Sequence, residues 1–143
     1  EESCRKVTDR CVSLEEFLAA PEVRSRLEGS LGAGPEELIY HGHCQQKALI
    51  GLEASRAMLD LMKASKLAVL DVGCCGMAGA FGYEKEHYEI SEKIGSLRLF
   101  PALEEAADGC LIVAPGFSCR SQIKHFTGRT ALHPVEVLAR YLR

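Results

Sequence analysis

A chain of 143 residues, 47% hydrophobic and 26% charged, is sized for one domain around a single core. Its formal net charge of −3 and its lack of a basic run give no footing for nucleic acid or an anionic membrane surface. No apolar run reaches membrane-span length and no signal-peptide pattern opens the sequence, which begins at Glu1 and reads as an excised or processed piece. Seven cysteines are an odd and high count. Their clustering at loop positions favours a metal or redox site in a reducing compartment, hence a cytoplasmic setting, over a disulfide scaffold.

Residues 1–34 read as an N-terminal helical segment and linker. Ser13 and Glu16 form a capping box before Leu14, Phe17 and Leu18, and Pro21 suits the first turn of a helix reaching Glu28. The stretch 29–35, Gly-Ser-Leu-Gly-Ala-Gly-Pro, is a linker by composition. Residues 35–143 then alternate strand and helix. Leu38-Ile39-Tyr40 is a short strand running into His41-Gly42-His43-Cys44. One long helix is expected from Gln45 to Ser65, with Ala48, Leu52, Leu59 and Met62 on a common stripe. Residues 67–72 make a second strand, nearly all apolar as a strand covered on both faces should be. It delivers Asp71-Val72-Gly73-Cys74-Cys75-Gly76-Met77-Ala78-Gly79-Ala80-Phe81-Gly82.

A helix is predicted over 84–99, with Ile90, Ile94 and Leu97 on one side, and a short one over 102–107 after Pro101. Residues 110–114 form the third strand, followed by Gly116-Phe117-Ser118-Cys119 and a helix ending near Gly128. Residues 129–132 are a weak fourth strand. His133-Pro134 then opens a closing helix with Val135, Leu138 and Leu142 inward. Four such alternations predict an α/β fold, a four-stranded parallel sheet flanked by helices. Sites in such sheets form beyond the carboxyl ends of the strands. Those ends carry Cys44, the Cys74/Cys75 pair, Cys119 and His133.

Adjacent cysteines make a strained disulfide, so Cys74 and Cys75 are better read as soft metal ligands. With Cys44 and Cys119 they give four thiolates, a set that suits a [4Fe–4S] cluster or a closed zinc site. The competing reading is four small buried residues, since cysteine is commonly buried. A thiol-nucleophile enzyme using Cys44 with a histidine base leaves the other three cysteines surplus. Cys110, at a strand start, reads as core, and Cys4 is an extra ligand only if its segment folds back. His41 and His43 could each hydrogen-bond to a cluster sulfur or serve as a ligand; a structural histidine fits equally. Gly73, Gly76 and Gly79 let backbone N–H groups approach sulfur. The spacing G-x-x-G-x-x-G is not the dinucleotide fingerprint. His133 reads as a helix cap, and His87 and His125 as ordinary helix residues.

Three motifs carry a resemblance: His41-Gly42-His43-Cys44-Gln45-Gln46-Lys47, Cys74 through Glu84, and Gly116-Phe117-Ser118-Cys119-Arg120. From about Tyr40 to Leu142 the chain resembles the cysteine-rich CCG domain, in the version at the C-terminus of FAD-linked dehydrogenases of D-2-hydroxy acids, the D-lactate and glycolate type. The resemblance implies an iron–sulfur centre passing electrons from a flavin towards a quinone or other acceptor. The FAD and the substrate chemistry would belong to a flavin-binding domain or subunit absent from this chain, which would not be catalytic alone. A setting at the inner face of a membrane, without a span, is compatible with it. Glu2-Ser3-Cys4 is similar to the tail of a preceding CCG unit. The family's C-x-x-C is departed from at Gly116, and Gln45 stands where relatives often have His. The resemblance therefore implies four main cysteine ligands rather than five. The alternative is a structural zinc-binding or metal-free interaction module of the same enzyme complex.

Overall fold

Strand β1 (Glu37–Tyr40) occupies the middle of the molecule because Leu38, Ile39 and Tyr40 are apolar on both faces. The computed structural model describes residues 2–143. Around β1 lie β2 (Lys66–Val69), β3 (Leu111–Val113) and β4 (Ala131–Leu132), all parallel, in the order β2-β1-β3-β4. Leu38 faces Leu67 on one side and Leu111 on the other, and Val113 faces Leu132. The two-residue alternation of a strand then divides the core. Ile39, Ile112 and Ala131 point to one face, with Leu99, Phe100, Leu103 and Ile123. Leu38, Tyr40, Val113 and Leu132 point to the other, with Met58, Leu59, Met62 and Val137.

The N-terminal segment is helical as predicted: α1 (Glu2–Thr8), α2 (Leu14–Ala19) and α3 (Pro21–Glu28). Both arms of the Ser13/Glu16 capping box are made. Leu18 and Leu27 pack against the core on the Leu38 side, and Leu31 pairs antiparallel with Leu142.

The expected long helix over 45–65 is two helices, α4 (Cys44–Leu49) and α5 (Glu53–Asp60). Gly51 breaks it, at φ +75° with its N–H donated to the Gln46 carbonyl, the left-handed helix stop that glycine favours. The break leaves Ala48 exposed while Leu59 and Met62 remain core. The predicted second strand stops at Val69, and residues 70–73 run on without full pairing towards Cys74. Residues 81–87 form two 3₁₀ turns, so the helix expected from 84 begins only at Tyr88 as α6 (Tyr88–Ser96). Its buried positions are Ser91 and Gly95, whereas Ile90 and Leu97 face solvent. Helix α7 (Leu99–Glu104) starts before Pro101, because proline is tolerated throughout a first turn whose N–H groups have no intrahelical partner. Helix α8 (Phe117–Thr127) follows β3. In α9 (Pro134–Tyr141), Val137 and Leu138 are inward while Val135 and Leu142 are half-exposed. Among the described residues no helix is long and apolar enough to cross a membrane.

Tyr40 ties β1 to the broken helix. Its hydroxyl donates to Ser55 Oγ at 3.1 Å, which also accepts from Gln46 Nε2 at 2.7 Å. Burial pushes the phenol up to about 12 from its ordinary 10.0. The unfolded chain therefore releases this proton first, so the contribution is complete below pH 10 and is lost as pH rises through about 12. Denaturant titrations of wild type and Tyr40→Phe across that range should show the stability difference between them changing; a constant difference would refute the linkage.

Candidate metal centre

The carboxyl edge of the sheet gathers chemistry because each strand hands its chain to a turn at the same rim. Past β1, His41 stays fixed to the sheet through its N–H, which donates to the Val113 carbonyl at 2.9 Å. Its side chain is 1% exposed, and both ring nitrogens are buried without a hydrogen-bond partner. Past β3, Gly116 caps α8 and places Cys119 in that helix's first turn. Cys75 arrives from the glycine loop. One ligand atom each from His41, Cys75 and Cys119 lies within 4.8 Å of the other two, and all three residues are buried.

Electrostatics follow from that crowding. A hydrogen bond from the Cys119 thiol holds Cys75 well below the ordinary thiol range, against its burial, with help from His41 and the Met77 N–H. The same bond, then burial and the nearby thiolates, push Cys119 up. Burial raises Cys74, opposed by the Gly76 N–H, which donates to Cys74 Sγ at 3.3 Å.

Cys44, the first residue of α4, shares a cavity of about 350 Å³ with His43, Cys75, Ala78, Gly79 and Ser118. Cys74 lines a different cavity of about 200 Å³ with Gly73, Ile94, Leu97 and Arg98. The ring of His43 lies over Gly116: a Cβ there would overlap His43 Cδ2 and stand 3.0 Å from Cys119 Sγ. A side chain at 116 would therefore require the His43 ring to move.

The structure therefore brings Cys44, Cys75, Cys119, His41 and His43 to one rim, with Cys74 on its flank. Gly76 turns the loop and bonds to sulfur, Gly79 lines the cavity, and Gly73 is exposed. Cys110 is buried at the opposite end of β3, and Cys4 and Cys11 are exposed on the N-terminal segment. His133 caps α9, its Nδ1 accepting the Val135 N–H. His87 stacks on Phe81, ring centroids 3.9 Å apart, and His125 bonds to Tyr88. Two supports had no sequence signal. Gln122 donates to Ser91 Oγ at 2.8 Å beneath Gly76, and Lys47 donates to the Val72 carbonyl at 2.6 Å, anchoring the approach to the cysteines. Both join residues far apart in the chain.

The donor set, soft sulfurs and an imidazole with no other partner, fits a borderline or soft metal ion or an iron–sulfur cluster. The chain is 37% identical over 110 residues to D-2-hydroxyglutarate dehydrogenase of Escherichia coli K12, covering 76% of this chain and 11% of that protein. It is 39% identical over 98 residues to the Pantoea ananatis protein of the same name, covering 67% and 9%. To one subunit of the anaerobic glycerol-3-phosphate dehydrogenase of E. coli K12 it is 33% identical over 108 residues, covering 76% and 27%. The chain thus spans only a small part of these relatives. No family model and no solved structure matches it.

Proposed function

Given that the chain belongs to the cysteine-rich CCG family, the C-terminal part of FAD-linked D-2-hydroxyacid dehydrogenases, we propose that it is the iron–sulfur electron-transfer domain of such an enzyme. The observation that carries the reading is the convergence of Cys44, Cys75, Cys119 and His41 on one rim, with Cys74 beside them. Four ligands drawn from these five donors suffice for a [4Fe–4S] cluster. The cluster would relay, singly, the two electrons that a flavin takes from a 2-hydroxy acid as it becomes the 2-oxo acid, onward to a quinone or other acceptor. This chain's residues hold the group and shape its surroundings. Cys75 and Cys119 supply buried sulfur, the glycine loop aims N–H groups at it, and the Leu99–Ile123 core walls off one side.

Anaerobic reconstitution with iron and sulfide should load about four of each per chain, with a paramagnetic signal on reduction. Failure to take up iron with every cysteine intact would overturn the reading. A structural zinc is the second reading. It is favoured by the spacing within 4.8 Å of the His41, Cys75 and Cys119 donor atoms, close enough for one tetrahedral ion. Protein purified without oxygen would then carry about one zinc and little iron.

A further inference from the structure

We propose that His41 is itself a ligand of the metal centre, and that it enters the set in place of Cys74. The inference rests on the reading that this rim holds a metal centre and goes on to say which atoms bind it. A buried imidazole with both nitrogens unpaired is costly, because each polar group stripped of water needs a partner. His41 cannot retreat to find one, since its backbone is bonded across the sheet to Val113. The donor atoms that do surround it are the sulfurs of Cys75 and Cys119. His133, at the end of β4, shows the alternative: there the ring is satisfied by capping a helix.

The adjacent cysteines divide for a simple reason. Successive side chains of an extended chain project to opposite sides, so Cys74 and Cys75 cannot both face the same space without a sharp turn between them. Cys75 faces the cavity shared with Cys44, while Cys74 faces the cavity beside Arg98, its sulfur already bonded by the Gly76 N–H. Four ligands chosen by position are therefore His41, Cys44, Cys75 and Cys119. Replacing one thiolate by a neutral imidazole leaves the centre one negative charge poorer, which raises its reduction potential.

The test uses the full chain, loaded anaerobically with iron and sulfide after labelling every histidine with ¹⁵N. Pulsed EPR of the reduced protein is expected to show hyperfine coupling to a directly bound nitrogen. His41→Cys should keep its iron, lose that coupling and titrate at a lower potential. Iron content should drop at least about tenfold in Cys75→Ser and by less than half in Cys74→Ser. Full iron loading without nitrogen coupling would overturn the proposal while leaving the electron-transfer reading intact. Equal iron loss in Cys74→Ser and Cys75→Ser would do the same. No iron in wild type would sink both. Should His41→Cys fail to fold, His43→Ala decides the assignment: coupling that persists there belongs to His41, and coupling that vanishes overturns the proposal.

Discussion

Cys119→Ser is expected to leave the chain folded but to cut the iron retained after anaerobic loading by at least about tenfold. The residue is 1% exposed and sits where the first turn of α8 meets the glycine loop. Its sulfur lies within 4.8 Å of the donor atoms of Cys75 and His41. A serine hydroxyl there is a harder donor that stays protonated at neutral pH, so it cannot take over the thiolate's role. The oxygen can still hydrogen-bond to Cys75, which is why the fold should survive. Cys110→Ala provides the contrast. Cys110 is also buried in the same side of the core, but lies at the opposite end of β3, and its loss should leave iron content unchanged. Cys4→Ser, on exposed α1, should likewise have no effect. Iron analysis of the three variants beside circular dichroism separates ligand loss from misfolding. Equal iron in Cys119→Ser and Cys110→Ala would remove Cys119 from the ligand set.

Gly76→Ala is expected to destabilise the fold by roughly 3–5 kcal/mol, at the large end for one substitution. Two independent effects combine. The residue holds φ +100°, a conformation that costs an L-amino acid about 1–3 kcal/mol. Its added Cβ would also overlap the Ser91 carbonyl oxygen and lie 2.9 Å from Ser91 C and 3.1 Å from Gln122 Nε2. Neither neighbour can give way: Ser91 is 1% exposed and Gln122 4%, and they are bonded to each other. Gly79→Ala isolates the first effect. That glycine also has positive φ, +73°, yet no atom lies within 4 Å of the added carbon. Its loss should be confined to about 1–2 kcal/mol of backbone strain. In thermal melts, Gly76→Ala should fall roughly 10–15 °C and Gly79→Ala only a few degrees. Equal shifts would show that crowding against Ser91 contributes nothing.

The apolar runs and their turn residues were enough to place four strands, because a strand covered on both faces has almost no polar positions to mislead the reading. Helix limits were less legible. The continuous stripe across residues 45–65 did not reveal the break, which depends on the single conformation of Gly51. In α6 the apolar side proved to be the outer one, since the close approach of Phe100 to Gly95 chose the small residues as the buried face. The capping roles of Ser13 and His133 were readable because a cap is a local bond, made between residues two or three apart.

The same division runs through the candidate metal site. Sequence by itself determined which residues are soft donors, that they stand at strand ends, and that a parallel sheet collects strand ends on one rim. It also supplied the glycines without which Cys74 and Cys75 could not turn. It could not say which sulfur faces which cavity, or that His41 has no partner other than sulfur. Nor could it show the ring of His43 lying where a side chain at 116 would go. Those facts depend on side-chain direction after a turn and on neighbours dozens of residues away. Only packing of the strands in the order β2-β1-β3-β4 brings those neighbours together.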